Sequence, residues 1–281
     1  MGDAELLFER DPFSPIQYVY RITRRLHREH SGKQEIEVVE SPHFGRMLLL
    51  DGVVQLTERD EFFYHELLVH VPLHAHGDPR RVLIIGGGDG GSLREVLKYP
   101  HVEEAILVEY DERVVEVSRA FLPTLSVGFD DPRTRIIIED GVEFLRSVRE
   151  PFDVIVVDSN DPVGAAQGLY STPFLQRASE ALSASGMLVV QSESLHFHMD
   201  FIVEFQRRLR EVFPIADLYS QALATYAGNW WTFSIGSRGL DPREVRCTTP
   251  VSTRYYSPEV HPWAFLPRGL YEKLLERRLS W

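Results

Sequence analysis

The sequence predicts an α/β fold: a parallel sheet with helices on both faces and a small antiparallel β segment preceding it. Three observations predict it. Downstream of Asp78-Pro79, apolar strand-like runs alternate with amphipathic helix-like runs five times over, and such alternation builds parallel sheets through right-handed crossovers. Between Val82 and Asp111 a buried strand, a glycine turn, a helix and a second strand ending in Glu109 follow one another, the order of a nucleoside-binding unit. Ahead of both lies a stretch with the period of two expected of half-buried strands.

That stretch opens at Gln34. QEIEVVE alternates, SPHFG turns, RMLLL runs apolar, and Asp51-Gly52 turns into VVQLT, an antiparallel meander. Thr57 followed by Asp60 resembles a capping box. The next segment, DEFFYHELLVHVPL, sets Phe63, Leu67 and Leu68 along one side of a helix expected to weaken at Pro72. Then come RVLII, LREVLKY, EAILVEY, ERVVEVSRAF, RTRIIIED, VEFLRSV, FDVIVVDS, STPFLQRASEAL, GMLVVQSE and MDFIVEFQRRLREVF. Ligands of such sheets bind at the carboxyl ends of the strands. Those ends carry Gly86 to Gly91, Glu109, Asp140-Gly141 and Asp158-Ser159-Asn160-Asp161. From Asp241 the chain is less regular, with the aromatic cluster YYSPEVHPWAF and a basic, helix-like end.

With 281 residues, 43% of them hydrophobic, the chain buries a sizeable core, and the patterning favours a main domain with an appendage over one uniform domain. A net charge of −12 and a pI near 5.4 argue against nucleic acid or an anionic membrane as partner and suit small cationic ligands. Cys247 is the sole cysteine, so no internal disulfide framework exists, and MGDAELLFERDPF has no basic stretch followed by an apolar run. No apolar run approaches the roughly 20 residues of a membrane span. The expected setting is cytoplasmic.

Gly86, Gly88 and Gly91 satisfy the dinucleotide pattern, yet Asp89 puts an acid inside the turn. A pyrophosphate would be repelled there, whereas a nucleoside with a cationic tail would be attracted. Glu109 stands 18 residues after Gly91, near the spacing of an acid that takes ribose hydroxyls. Asp140 can reach an adenine amino group, with Gly141 leaving room for the ring; an ordinary Asx turn explains the pair equally well. Asp158 and Asp161 lie three residues apart and repel one another unless a cation sits between them. Acids at 89, 158 and 161 converging on one crevice imply a strongly cationic ligand.

Other chemistries fit less well. HELLVH spaces His65 and His70 at i and i+5, on different helix faces, whereas a zinc-protease helix needs i and i+4. The HFH run at 196–198 has no neighbouring Cys or acid with ligand spacing, so no metal site is expected. No GxSxG elbow occurs, and nothing nominates Cys247 as a nucleophile.

Together these residues resemble the spermidine synthase family of aminopropyltransferases. LDGVVQLTERDEFFYHE, VLIIGGGDGGSLREVLK, VEYDE, GFDDPR, DGVEF, VIVVDSNDPVG, QSES, ATY and YYSPEVHPWAFLP carry the resemblance, from about Gln34 to Pro267. It implies a small N-terminal β domain (1–58) on a Rossmann-like catalytic domain of methyltransferase type with a C-terminal tail (59–281), assembled as a homodimer or homotetramer. The implied reaction moves an aminopropyl group from decarboxylated S-adenosylmethionine, a co-substrate and not a cofactor, to putrescine, giving spermidine and 5′-methylthioadenosine. By motif, Gln34, Gly86, Gly88, Asp89, Glu109, Asp140 and Gly141 correspond to donor contacts. Tyr64, His65, Asp89, Asp158, Asp161 and Tyr226 correspond to contacts around the aminopropyl end and the diamine, with Asp158 the base.

The chemistry agrees with that implication. A sulfonium activates its neighbouring methylene, so an amine displaces methylthioadenosine directly. The attacking amine must be neutral, and free alkylamines have pKa values near 10, about 6 units above an ordinary Asp; burial narrows that gap, and positioning matters as much as basicity. Asp89 attracts the amine of either donor but repels the carboxylate that only intact S-adenosylmethionine carries. The acid usual in methyltransferases two residues before the first glycine is here Ile84. Where the family reads Tyr-Pro-Ser-Gly, this chain has Tyr226-Ala227-Gly228-Asn229, and Ala165 replaces a common proline. Cadaverine or agmatine as acceptor therefore stays open beside putrescine. The remaining alternatives are a diamine N-methyltransferase using intact donor, a non-catalytic polyamine sensor and an NAD-dependent dehydrogenase, the last two disfavoured by Asp158 and Asp89 respectively.

Overall fold

The computed structural model describes residues 5–9, 14–162 and 164–279. Strand β1 (Glu5–Phe8) pairs antiparallel with β2 (Val19–Ile22), and β3 (Arg24–His30), β4 (Glu35–Ser41), β5 (Gly45–Leu50) and β6 (Val53–Thr57) form a four-stranded antiparallel sheet in that order. The Asp51-Gly52 turn has positive φ at both residues, 50° and 81°, as a tight hairpin matched to strand twist requires. Strands β4 to β6 coincide with the expected meander; β1, β2 and β3 are additional. In β3, RRLHREH is charged and largely exposed, so an edge strand carries no apolar alternation to read.

Helix α1 (Glu61–His76) leads into the main sheet: β7 (Arg81–Gly86), α2 (Gly91–Leu97), β8 (Glu104–Glu109), α3 (Glu112–Phe121), β9 (Thr134–Ile138), α4 (Gly141–Ser147), β10 (Phe152–Asp158), α5 (Thr172–Glu180), β11 (Leu182–Ser194), α6 (Met199–Val212), β12 (Ile215–Ala222) and β13 (Trp230–Ser237). Helices α7 (Val260–Ala264) and α8 (Arg268–Leu275) close the tail. The sheet order is β12-β13-β11-β10-β7-β8-β9. Five strands are parallel, as expected; β13 joins antiparallel to β11 and β12 to β13, so the sheet is mixed at one edge. None of the described helices is long and apolar enough to cross a membrane.

Two expectations about α1 are corrected. The helix runs through Pro72 to His76, and every residue but Phe63 and His76 is buried. An all-round buried helix packs on every side, and that packing outweighs the one hydrogen bond proline forfeits. Thr57 does not cap it either: its hydroxyl donates to Asp60 Oδ1 at 2.6 Å, and Asp60, the N-cap, makes no side-chain capping bond and instead accepts from Thr225 Oγ1 at 2.8 Å.

Alternate residues of each central strand feed opposite cores. Val82, Ile84, Leu107, Val154 and Val156 pack with α1 and α2, while Leu83, Ile85, Ile106, Ile155 and Val157 pack with α4, α5 and α6. Burying each such side chain contributes about 1.5–3 kcal/mol, which makes the strand ends a rigid platform. β7 and β10 are neighbours, yet the chain leaves them in opposite directions across the sheet. A crevice opens at that switch point.

Candidate active site

Gly86, the last residue of β7, is the register partner of Asp158, the last residue of β10. Gly86 has φ +82°, and a Cβ there would lie 2.1 Å from the Asp158 carbonyl oxygen. No side chain fits. Gly87 N–H then donates to that same carbonyl at 2.8 Å, which locks the turn onto the neighbouring strand.

Asp158 is held from three sides. Tyr64 Oη donates to Oδ1 at 2.8 Å and Ser92 Oγ to Oδ2 at 2.7 Å, and His65 Nε2 stands 4.0 Å from Oδ2. Burial and the Asp158 charge push the Tyr64 phenol well above its ordinary range, so it stays a donor. His65 Nε2 also lies 3.4 Å from Asp89 Oδ1, and Nδ1 donates to Glu61 Oε2 at 2.7 Å. Burial opposes charge on this imidazole, but Asp89, Glu61 and Asp158 outweigh it and push its pKa up to about 9. Asp89, raised by burial and by Asp158 against the pull of His65, is further fixed by Gly91 N–H donating to Oδ1 at 2.7 Å. The acid read as projecting bare charge into the turn thus faces a buried imidazole at 3.4 Å. Ligating atoms of His65, Asp89 and Asp158 lie within 4.8 Å of one another.

The donor-side residues gather at the neighbouring strand ends. Glu109 Oε2 accepts from Gly88 N–H at 3.1 Å and Oε1 from Asp111 N–H at 2.8 Å. Burial raises it, against those two bonds, to about 7. Gln34 Nε2 donates to Asp111 Oδ2 at 3.0 Å, which fixes the turn between β3 and β4 over the carboxyl end of β8. Asp140 caps α4 by accepting from Val142 and Glu143 N–H. The room at Gly141 is taken by the protein itself: a Cβ there would meet Ile85 Cγ2 at 2.3 Å. The same logic governs Gly88 against Glu109 and Gly91 against the His65 ring, at 2.8 and 2.3 Å.

Tyr226 donates to the Gln55 carbonyl and meets Tyr64 edge to face at 5.6 Å. It lines, with Asp161, Gln34, Tyr64, His65, Glu109 and Asp158, one cleft of about 370 Å³ that also includes Gly86, Gly88, Asp89, Asp140 and Gly141. Every residue singled out in the sequence as a site residue lies on it. Ala165 has no described side chain. His70 turns away to Glu95 and Tyr99, as i, i+5 spacing requires, and His196 Nδ1 donates to the Gly228 carbonyl at 2.8 Å.

Sequence reasoning missed Glu61, Ser92, Arg94, Gln191 and Glu193. Glu61 stands four residues before His65 on one helix face, and Ser92 opens α2 directly after the glycine turn, so spacing alone offered a signal for both. Gln191 and Glu193 reach the cleft from β11, within the QSES segment that carried the resemblance without a role assigned to either residue.

A nucleoside-sized cleft lined by acids, with a positioned carboxylate at its centre, suits transfer from a cationic adenosine donor. Comparison decides the family. The spermine/spermidine synthase domain matches residues 61–244, and the spermidine synthase tetramerisation domain matches 7–58. The chain belongs to the spermine/spermidine synthase family. It is 51% identical to polyamine aminopropyltransferase 1 of Aquifex aeolicus over 96% of both chains, and 52% identical to the polyamine aminopropyltransferase of Hydrogenobaculum sp. over 95% of both. A crystal structure of spermidine synthase in complex with the transition state analogue AdoDATO superposes with a TM-score of 0.92 at 37% identity, covering 98% of this chain and 96% of that one. The Thermotoga maritima spermidine synthase follows at 0.89 and 36%, covering 98% and 95%. The protein is therefore a polyamine aminopropyltransferase, with the methyltransferase-like sheet of its family.

Proposed function

We propose that this aminopropyltransferase is a spermidine synthase: it transfers the aminopropyl group of decarboxylated S-adenosylmethionine to putrescine and releases 5′-methylthioadenosine. The observation that carries the reading is Asp158, held between the Tyr64 and Ser92 hydroxyls at the β7/β10 switch point and facing, across His65, the Asp89 carboxylate. Glu109 accepts the ribose hydroxyls, and Asp140 meets the adenine edge beside Gly141. Asp89 holds the donor's ammonium. Asp161, Tyr64 and Tyr226 hold the diamine so that one nitrogen faces the sulfonium-bound methylene.

The amine nitrogen forms a bond to that methylene as the carbon–sulfur bond breaks, and the electron pair goes to sulfur to give the neutral thioether. The nitrogen loses one proton. Asp158 receives it as the developing ammonium becomes far more acidic than the free amine, so a weak base suffices when it is in place. No prosthetic group enters this scheme. The tetramerisation-domain match over residues 7–58 supports a homo-oligomer, and the single buried thiol, Cys247, suits a reducing, cytoplasmic compartment.

The test is the purified enzyme with decarboxylated donor and a panel of putrescine, cadaverine and agmatine. The reading requires methylthioadenosine release with the highest kcat/KM for putrescine. A higher kcat/KM for agmatine or cadaverine would replace the acceptor, and S-adenosylhomocysteine from intact donor would replace the reaction by N-methylation.

A further inference from the structure

We propose that Glu61 is a positioning residue for aminopropyl transfer: braced by Arg94, it ties down His65 so that a fixed imidazolium faces Asp89 and Asp158. The proposal rests on the reading of Asp158 as the group that receives the amine proton.

The geometry begins with Glu61. Its side chain is 5% exposed, on the first turn of α1, one helical turn before His65, the spacing that brings two side chains together on one face. Arg94 of α2 grips it with two parallel bonds, Nη1 to Oε1 at 3.1 Å and Nη2 to Oε2 at 2.8 Å, and Oε2 also accepts from His65 Nδ1 at 2.7 Å. Arg94 is itself anchored by Glu95 Oε1 at 2.8 Å. A bidentate guanidinium leaves a carboxylate little freedom to rotate, so Oε2 is a stationary acceptor for the ring.

That acceptor decides what the far side of the ring can be. With Nδ1–H committed to Glu61, a neutral imidazole would turn a bare Nε2 lone pair toward two carboxylates, Asp89 at 3.4 Å and Asp158 at 4.0 Å. Only the doubly protonated ring offers a donor to both sides. The ring packs against the Gly91 backbone, where a Cβ would lie 2.3 Å from His65 Cε1, so a side chain at that position would displace it. Burial disfavours the charge on His65, but Asp89, Glu61 and Asp158 together favour it and hold the group near 9. Burial likewise opposes the charge on Glu61, which His65 and Arg94 nevertheless lower to about 2. His65 is therefore faced by Glu61 from its own helix, by Arg94 from α2 through Glu61, by Asp89 from the turn after β7 and by Asp158 from the end of β10.

A buried cation at this point does two things for the reaction. It offsets the repulsion between two adjacent carboxyl groups, Asp89 and Asp158, while the cleft awaits its cationic substrates. It also sets a positive charge beside the Asp158 carboxyl group, whose oxygens are oriented by Tyr64 and Ser92 to take the amine proton.

The test compares the parent with Glu61→Gln, His65→Gln and the double variant, each as the full chain with decarboxylated S-adenosylmethionine and putrescine. Methylthioadenosine release by the parent tests the underlying reaction before any variant is made. Glu61→Gln is expected to lower kcat about tenfold with donor KM nearly unchanged, and the double variant to be no slower than His65→Gln alone, because both act through one group. The alkaline limb of kcat should move down by about one pH unit or more in Glu61→Gln, since the removed charge is one that keeps the ring protonated. Multiplying effects and an unmoved alkaline limb would overturn the proposal. Nitrogen-15 NMR of the parent's His65 needs no variant and stays decisive if Glu61→Gln folds poorly: both ring nitrogens protonated at pH 7.5 supports the proposal, and a neutral tautomer sinks it.

Discussion

The Tyr64 phenol donates to Asp158 Oδ1 at 2.8 Å, joining the first helix of the catalytic unit to the end of the fourth parallel strand. The bond orients the carboxylate and leaves its electron density available. Replacing Tyr64 with Phe removes a charge-assisted bond worth about 1.5–3 kcal/mol, so kcat/KM for the diamine should fall between about 10- and 160-fold. Donor affinity by calorimetry should stay within about twofold. An unchanged kcat/KM would show that Ser92 and His65 suffice.

Asp158→Asn preserves shape and removes the base. Turnover should fall by about 10²–10⁴-fold while the donor dissociation constant moves little, because the nucleoside contacts proposed for Glu109 and Asp140 are left intact. Single-turnover kinetics with matched calorimetry would check it. Equal turnover in variant and parent would remove Asp158 from the proton path.

Asp89 is 3.4 Å from His65, and the proposed reading assigns it the donor's ammonium. Asp89→Asn should narrow the preference for decarboxylated over intact S-adenosylmethionine, measured as the ratio of their dissociation constants. An unaltered ratio would place discrimination elsewhere.

Glu109, raised by burial to about 7, predicts a pH-linked donor site. Two ribose hydroxyls are best received by the ionised carboxylate. Below about 7 the free enzyme carries a proton there that binding must expel, so affinity for methylthioadenosine, a ligand without titrating groups in this range, should weaken by up to tenfold per pH unit as pH falls. Above that value it should level off. Titration calorimetry in buffers of different ionisation heat would detect the released proton, and its absence at pH 6 would refute the linkage.

Gly86→Ala tests the backbone beneath the site. A Cβ there would press on the Asp158 carbonyl, at a φ of +82° that costs an L residue about 1–2 kcal/mol before any clash. The variant should lose about 2–4 kcal/mol of stability, read by urea unfolding, and lose activity in the fraction that remains folded.

Much of this site could be read from the chain because its pieces sit at strand ends, where pattern and chemistry coincide. Gly86, Asp89, Glu109, Asp140 and Asp158 each follow an apolar run, and parallel topology sends all such ends to one edge. Tyr64, His65 and Gln34 belong to elements outside that sheet, and their place in the site came from family resemblance, since no periodicity points a residue of α1 or β4's approach toward a crevice it does not border in sequence. The edge strand β3 and the hairpin of β12 and β13 stayed hidden for a related reason. Strand pairing is a long-range choice, and a charged or two-sided strand carries little local sign of its partner.

By itself, then, the sequence determined the parallel core, the glycine turn, the acidic character of the ligand edge and the carboxylate at its centre, all properties of local spacing and charge. Only the tertiary structure decided what those charges face. Glu61, His65 and Arg94 come from α1 and α2, and packing α1 on α2 sets the His65 ring against Asp89 and Asp158. The turn that read as bare negative charge faces a buried imidazole, because electrostatic pairing depends on distance through space and not along the chain.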